Sequence, residues 1–397
     1  MLSVKTLPDN PNLDHLRQQA KDLLAGLRDT DPAVTLAAAQ ASLAAQYGFR
    51  AWTDLKAEVE RVRGQAADAD PAMARAIAER FDLGEVTGPM RSVARPDDMG
   101  RRWTLETDRG RWALRGLDTW WPIVDAETDT ALQEAAAAAG VLLPPPVRSR
   151  AGAVVEPVAG HSWRVYGWVR SGPPLAAPAS ARVTRAVGEV LATVHGLALP
   201  VDRISPWHVR RFSEVSWAEW AARAAAAGAT WAPAMAAAAP VLTDLEPLRD
   251  ATAPPAEAPV LCHNTLGPAN ARRARDGRLV VAGWEHAGGQ PRDWELANAL
   301  LDWAVEPGGG VNAAGARALV DGYRARAGRL PALGMSSFRG AITSLANYVA
   351  GEVGAALELP AGDDRRYADR SVGHVLTHLA TRSTLERLLE IVTAARA

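Results

Sequence analysis

Cysteine is almost absent from this chain. Its 397 residues include one cysteine, Cys262, which excludes an internal disulfide and any zinc site built from several thiolates. A single thiol is typical of proteins in a reducing compartment, so we expect a cytoplasmic location. The sequence also has no basic segment followed by an apolar core at its start and no run of 18 apolar residues, so we expect no signal peptide and no membrane-spanning helix.

An excess of charge of either sign is missing as well. The 44 Lys and Arg residues nearly match the 45 Asp and Glu residues, which gives a formal net charge of −1. Nucleic acids and anionic membranes attract proteins through excess positive charge, and this chain has none. We therefore expect a small-molecule ligand, with neither a nucleic-acid partner nor a membrane partner.

Phenylalanine is scarce, with 4 residues, whereas tryptophan is frequent, with 14. The simplest interpretation is that tryptophan takes the places of large aromatic residues in the core. The alternative is that some of the indoles line a ligand pocket, because indole offers a flat apolar surface and one N–H donor. The composition alone does not choose between the two.

Residues 1–63 predict a small all-α module. Asn12 is a favourable N-cap, and the apolar spacing predicts three helices, over residues 12–27, 31–47 and 51–63. The segment 64–71, GQAADADP, has the composition of a linker. The module has no His/Cys cluster and no basic face, so we expect it to mediate docking or self-association. It resembles the helical leader that precedes various domains in bacterial fusion proteins.

The pattern changes after the linker to a mixture of strands and helices. Residues 101–116 alternate apolar and polar side chains around an Asp-Arg-Gly turn, which predicts a β-hairpin. A helix is predicted over 124–139 and further strands follow it, whereas the later sequence is mainly helical. This order predicts an α+β fold, with a small β-rich N-lobe over 72–170 and a larger helical C-lobe over 171–397.

The segment 260–303 contains the most informative motifs. It reads HNTLGPAN from His263 to Asn270, then GWEHAGG from Gly283, then WELA from Trp294. This order and spacing resemble the aminoglycoside phosphotransferase and choline kinase superfamily, with its H-G-D-x-x-P-x-N, I-D-W-E-x-A-G and D-L-A motifs. A supporting match, GEVLATVHGLALP at 188–200, resembles the family's L-x-x-L-H-x-L. The resemblance covers roughly 75–390 and implies a protein-kinase-like two-lobe fold.

Two departures from the family motifs fall on its carboxylates. Thr265 stands where the family has the aspartate that accepts or orients the substrate hydroxyl proton, and a threonine hydroxyl is no base at neutral pH. Gly283 stands where the family has the aspartate that holds Mg²⁺. The remaining candidate metal ligands are Asn270 and Glu285. Glu285 is also a candidate acid or base, with a solvated or salt-bridged carboxylate as the alternative, and His263 is interpreted as a brace of the loop or as a participant in chemistry.

The nucleotide-binding lobe is altered too. By the resemblance, Arg115 takes the place of the lysine that pairs with ATP phosphates, and a helix carboxylate, either Glu127 or Glu134, should pair with it. The expected phosphate-covering loop, 92–102, carries Pro96, which lacks an N–H, and the acidic pair Asp97-Asp98, which would repel a triphosphate. Two tryptophans, Trp168 between the lobes and Trp284 beside Gly283, are candidates to contact a ligand.

Three functions are compatible with these motifs. The first is a pseudokinase that binds a small molecule between its lobes without normal phosphoryl transfer, and it requires no cofactor. The second is an active small-molecule kinase that uses ATP and Mg²⁺ through a rearranged site with Asn270, Glu285 and Arg115. The third is a kinase fold reused for other chemistry in specialised metabolism, with Thr265, Glu285 or His263 as the polar groups.

Overall fold

A computed structural model describes residues 5–64, 66–97, 100–117, 123–250, 254–255, 257–306 and 309–394. Within these residues, a helical segment is followed by a strand-rich part and then by a mainly helical part. The fold is therefore α+β, as predicted. None of the described helices combines the length and the apolar composition that crossing a bilayer requires.

Three helices form the N-terminal helical module, α1 (Leu13–Leu27), α2 (Leu36–Gln46) and α3 (Trp52–Val62). Asn12 caps α1 as predicted, since its side chain accepts a hydrogen bond from the Asp14 backbone N–H at 2.7 Å. The predicted start of the second helix at Asp31 is wrong. Asp31 instead accepts from the Ala33 N–H and caps a turn, whereas Thr35 caps α2.

The N-terminal helical module packs against the rest of the chain. Gln19 is buried, and its Nε2 donates to the Pro174 carbonyl at 2.6 Å. Two turns further along the same face of α1, Asn312 Nδ2 donates to the Gly26 carbonyl at 3.1 Å. Side-chain amides thus satisfy backbone carbonyls on both sides of the contact, as buried polar groups require.

The strand-rich part, which we call the N-lobe, contains two helices and a six-stranded sheet. They are α4 (Pro71–Arg80), β1 (Arg91–Asp97), β2 (Gly100–Thr107), β3 (Gly110–Gly116), α5 (Ala126–Ala138), β4 (Pro146–Val147), β5 (Glu156–Val158) and β6 (His161–Gly167). The sheet order is β1-β2-β3-β6-β4, and β5 also pairs with β6. The predicted hairpin is confirmed, because β2 and β3 are antiparallel and Thr107 lies opposite Gly110.

The predicted linker, 64–71, is partly bound to the sheet. The Ala69 N–H donates to the Met90 carbonyl at 2.9 Å, just before β1 begins. Gln65 lies outside the described residues. A Pro/Ala/Asp-rich composition indicates weak helix and strand propensity, but it does not prevent a segment from adding hydrogen bonds to a neighbouring sheet edge.

The mainly helical part, which we call the C-lobe, surrounds two small sheets. It contains β7 (Ser171–Pro174), α6 (Ala181–Gly196), α7 (Trp217–Ala226), α8 (Ala232–Arg249), β8 (Val260–Cys262), β9 (Ala271–Ala274), β10 (Leu279–Val281), β11 (Gly288–Gln290), α9 (Arg292–Ala304), α10 (Ala313–Ala327), α11 (Arg339–Glu358), α12 (Asp363–Thr377) and α13 (Arg382–Ala394). One sheet has the order β10-β9-β7, and in the other β11 pairs with β8. These two sheets present the loops that carry the family motifs.

Most of the described tryptophans support the interpretation that they fill the core. Seven of them are buried: Trp163, Trp217, Trp220, Trp231, Trp284, Trp294 and Trp303. Six of the seven belong to the C-lobe, where they pack with alanine-rich helices. Large indoles compensate there for the small volume of alanine, because a core must reach close packing whatever its composition.

Candidate functional site

The loop from His263 to Asn270 follows β8 and is held by α9. Asn264 adopts a left-handed conformation, with φ of 67°, which asparagine tolerates better than most residues. Its backbone N–H donates to Glu295 Oε1 at 2.6 Å, in the first turn of α9. The other oxygen of Glu295 lies 2.7 Å from His195 Nε2. The loop conformation is therefore fixed by a buried carboxylate.

The polar groups of Thr265 form hydrogen bonds inside the protein. Its hydroxyl donates to the Gly283 carbonyl at 3.3 Å, and its backbone N–H donates to His263 Nδ1 at 3.3 Å. The other ring nitrogen of His263 lies 3.1 Å from the Ala282 carbonyl. Both ring nitrogens thus contact the backbone, and burial lowers the pKa of His263 to about 4. At neutral pH the ring is an uncharged brace between two segments of the loop region.

Asn270 fills the space beside Gly283. Gly283 has a φ of 83°, in the left-handed region that favours glycine. A Cβ atom at this position would lie 2.6 Å from Asn270 Cγ and 2.7 Å from its Nδ2. The Asn270 amide is held there, because Nδ2 donates to the Thr265 carbonyl at 2.9 Å. A carboxylate side chain at residue 283 would therefore require the Asn270 amide to move.

Glu285 is tied to the N-lobe rather than facing solvent. Its Oε1 accepts from the Tyr166 hydroxyl at 2.7 Å and lies 3.3 Å from Arg115 Nε. The side chains of Arg115 and Glu285 are 8% and 6% exposed, so this is a buried ion pair between the lobes. Tyr166 and Arg115 come from the neighbouring strands β6 and β3, which present them on the same side of the sheet as the C-lobe turn.

The electrostatics of Glu285 favour the carboxylate form. Burial alone would raise the pKa of Glu285, but the nearby charges of Arg115 and Arg164 and the Tyr166 hydrogen bond outweigh burial and lower it to about 2. Its second oxygen, Oε2, is buried and has no hydrogen-bond partner among the described residues. Glu285 is therefore ionised at neutral pH, and one of its oxygens accepts no hydrogen bond from the described residues.

A second buried ion pair lies beside the first, and our sequence prediction missed it. Arg164 on β6 donates to both carboxylate oxygens of Asp129, at 2.8 and 2.6 Å, and also to the Thr130 hydroxyl. Arg164 is paired in register with Arg115 across β6 and β3. The bidentate geometry is the strong form of a guanidinium–carboxylate contact. Asp129 is thus the α5 carboxylate that binds an arginine of the sheet, but this arginine is on β6 and not on β3, the strand that carries Arg115.

The sequence matches the model of one known protein family. The model of the phosphotransferase enzyme family matches residues 96–329 of the chain. The chain belongs to this family. The match runs from the end of β1, through the loop from His263 to Asn270, to the residues just after α10. Comparison with curated protein sequences gives no match.

Solved structures of the phosphotransferase family share the fold at low sequence identity. The structure of spectinomycin phosphotransferase APH(9)-Ia with ADP and spectinomycin is 12% identical, with a TM-score of 0.57, and the similarity covers 82% of this chain and 98% of that one. Amicoumacin kinase hAmiN, solved with AMP-PNP, Ca²⁺ and Ami, is 13% identical, with a TM-score of 0.51 and coverages of 82% and 95%. These similarities show the kinase-like fold.

The expected partner of Arg115 requires correction. Glu127 and Glu134 both pair with Arg148, at 2.8 and 3.3 Å, and both carboxylates are at least half exposed. They lie seven residues apart, so they share one outer face of α5, and neither is the partner that the phosphotransferase family resemblance predicts. The helical spacing does distinguish Asp129, which lies on the buried face of α5 with Leu132, Gln133 and Ala136. Its partner, however, is Arg164 and not Arg115.

The two predicted ligand-contacting tryptophans lie in different surroundings. Trp284 is 2% exposed, its Nε1 donates to the Val281 carbonyl at 3.0 Å, and its ring meets His263 edge to face. It is a core residue and has no surface to offer a ligand, contrary to our expectation. Trp168 is 42% exposed, and the Arg111 guanidinium lies 4.1 Å from its ring centroid. An accessible indole therefore remains at the connection between β6 and β7.

The expected phosphate-covering loop is the β1–β2 hairpin. Its tip residues Asp98 and Met99 lie outside the described residues. Near its base, the Asp9 carboxylate accepts from the Ser92 hydroxyl and from Arg101 Nη1, and the Asp9 backbone N–H donates to the Val93 carbonyl at 2.9 Å. The segment that precedes α1 is thus hydrogen-bonded to the strand pair that in the phosphotransferase family covers the nucleotide.

The residues present do not fit the Mg²⁺ ion that the phosphotransferase family implies. Mg²⁺ needs near-octahedral oxygen ligands, usually including one or two carboxylates. Gly283 offers no side chain, and Asn270, whose Nδ2 donates to the Thr265 carbonyl, could offer only its uncharged Oδ1. Glu285 is the one carboxylate of the predicted set, and the guanidinium of Arg115 already neutralises it. A divalent cation beside that guanidinium would be repelled.

Proposed function

We propose that this protein is a pseudokinase of the phosphotransferase family, which binds a small molecule between its lobes without normal phosphoryl transfer. Phosphoryl transfer in this fold depends on positioned cations and a carboxylate that orients the attacking hydroxyl. This chain offers Thr265 in place of that carboxylate, and the threonine hydroxyl already donates to Gly283. The proposal assigns the family fold to binding rather than to catalysis.

One observation carries the proposal. The space in which a metal-binding side chain at Gly283 would begin is filled by the Asn270 amide. Loss of a carboxylate alone would leave an opening that another ligand could use. Here the opening is closed by a hydrogen-bonded side chain, and the adjacent Glu285 is turned to Arg115. The two changes together replace a cation site with contacts internal to the protein.

The proposal is tested by titrating the protein with ATP at millimolar concentration, with and without Mg²⁺, in a calorimeter. We expect no Mg²⁺-dependent binding, and no ATP consumption when spectinomycin or choline is added as acceptor. Mg²⁺-dependent ATP turnover that disappears in Glu285→Gln would refute the proposal. Glu134→Gln is the matched control, because it removes an exposed carboxylate of the N-lobe that pairs with the surface residue Arg148.

Ligand binding is tested separately by thermal unfolding. Aminoglycosides, spectinomycin, choline-like amines and apolar natural products form the screening set, chosen from the ligands of the structural relatives and the predicted ligand class. A compound present at 100 times its Kd stabilises the folded state by about 2.7 kcal/mol, which is readily seen as a rise in Tm. Trp168→Ala should reduce that rise if the exposed indole contacts the ligand. No stabilisation by any compound would leave the binding half of the proposal without support.

A second candidate function, an active kinase with a rearranged site, is favoured by one observation. Glu285 Oε2 is buried and lacks a hydrogen-bond partner among the described residues, and buried carboxylate oxygens are normally satisfied. An ion at Oε2 would satisfy it. The ATP titration decides between the two candidates, since only this one requires binding that depends on Mg²⁺.

A further inference from the structure

A cavity of about 500 Å³ lies between the N-terminal helical module and the β7–β9 strand pair. It is formed by α1, by β7 with the residue before it, and by the end of β9 with the turn that follows. Its polar lining consists of Gln18, Asp22, Arg170, Ser171, Arg273 and Arg275. The family model begins at residue 96, so α1 adds to this cavity a wall that the family fold does not supply.

Three of the lining side chains are arginines, against one carboxylate, Asp22. Within the part of the chain that the structure describes, Arg170, Arg273 and Arg275 make no ion pair and no side-chain hydrogen bond. Arg278 on the same hairpin behaves differently, since it pairs with Asp276 at 2.8 Å. Arg170 and Arg275 are exposed and Arg273 is half-buried, so solvent screens part of their mutual repulsion, but the pocket keeps an excess of positive charge over Asp22.

We propose that this cavity, which we call the arginine pocket, binds a small anion that carries phosphate groups. Guanidinium forks match phosphate oxygens with two parallel N–H···O bonds, and a phosphate on two or more of them relieves their mutual repulsion. The volume suits a group as large as a diphosphate with a small substituent. The site is independent of the interlobe chemistry, because it shares no residue with the loop from His263 to Asn270.

Asp22 provides a way to test whether the arginine pocket binds anions. It is the one carboxylate among the lining residues, and Gln18 Nε2 lies 3.3 Å from its Oδ1. Partial burial raises the pKa of Asp22, while Arg273 opposes that rise. At neutral pH the carboxylate competes with an incoming anion for Arg273. Removing the charge of Asp22 should therefore strengthen anion binding, and damage to the fold could not mimic this effect.

Pyrophosphate is the probe, titrated calorimetrically into the full-length protein at constant ionic strength without Mg²⁺. We expect measurable binding to the unmodified protein, and a loss of at least about tenfold in affinity for R273Q/R275Q, since each charged hydrogen bond contributes about 1.5–3 kcal/mol. D22N should bind about two- to fivefold more tightly. Citrate in a parallel titration distinguishes phosphate recognition from general attraction of multivalent anions.

Arg278→Gln is the matched control, because it removes a cation from the same hairpin that already has a partner outside the arginine pocket. Its affinity for pyrophosphate should stay within about twofold of the unmodified protein. The proposal is overturned if pyrophosphate does not bind at millimolar concentration, if R273Q/R275Q and R278Q bind equally, or if D22N weakens binding. Citrate binding as tightly as pyrophosphate would overturn the assignment of phosphate as the ligand group. Circular dichroism and the Tm of each variant verify that it is folded.

Discussion

The Asn270 amide lies where the side chain of residue 283 would begin, 2.6 Å from the position of a Cβ atom on Gly283. This relationship joins the two motifs that normally build a metal site, and it makes each dependent on the other. Restoring the family aspartate at residue 283 is therefore not sufficient to restore the site, because a second residue must also move.

The first prediction concerns Gly283→Asp. The new side chain must displace Asn270 and adopt a φ of 83°, so we expect a loss of roughly 2–4 kcal/mol in unfolding free energy, measured by urea denaturation. Gly328→Asp is the control: its φ is 77° and nothing lies within 4 Å of its Cβ position, so it reports the cost of conformation alone. G283D should also cost less in an N270A background. Equal losses in G283D and G328D would contradict the proposed steric conflict.

The second prediction concerns the ion pair between the lobes. Glu285→Gln removes the charge that faces Arg115 and leaves a buried guanidinium without that partner, so we expect a loss of roughly 2–4 kcal/mol in unfolding free energy. Glu134→Gln breaks a half-exposed pair with Arg148 and should cost less than about 0.5 kcal/mol. Thermal and urea unfolding of both variants provide the comparison. Similar stabilities for the two would show that the interlobe pair contributes no more than a surface contact.

The third prediction concerns acid stability. Burial lowers the pKa of His263 to about 4 and that of His208 to about 4, against about 6.5 in the unfolded chain. The unfolded state therefore takes up protons first as the pH falls, so stability is lost between about pH 6.5 and pH 4, by roughly 3 kcal/mol per histidine. His263→Gln should reduce the slope of unfolding free energy against pH by about 1.4 kcal/mol per pH unit in this window. An unchanged slope would mean that His263 is protonated in the folded protein.

The sequence predicted the parts of the site that depend on spacing along the chain. The loop from His263 to Asn270, the hairpin that follows it and the two substituted positions could all be located, because motif residues stand at fixed offsets from strand ends. The ion pairs of the N-lobe could not be found this way. That Asp129 binds Arg164 on β6, while Arg115 on the neighbouring β3 binds Glu285 of the C-lobe, depends on strand order and tertiary packing.

Side-chain conformation was a second limit on prediction from sequence. The substitution at Gly283 indicated an absent ligand, but only the structure shows that Asn270 occupies the space that this leaves. The same holds for Trp284, whose position in the motif suggested the cleft although its indole faces the core. Sequence offsets place a Cα atom near a site, whereas rotamers decide which side chains reach it.

The fourth prediction concerns how the N-terminal helical module is attached. A Cβ on Gly26 of α1 would lie 2.1 Å from the Pro178 carbonyl oxygen, so Gly26→Ala must push α1 away from the C-lobe and should cost about 2 kcal/mol or more in unfolding free energy. Gly351→Ala on α11 is the control of opposite sign: nothing lies within 4 Å of its Cβ position, and alanine should stabilise the helix by up to about 1 kcal/mol. In limited proteolysis, G26A should be cleaved near 64–71 faster than the unmodified protein, whereas G351A should not. A module that stays resistant in G26A would show that its attachment does not depend on this close approach of α1 to the C-lobe.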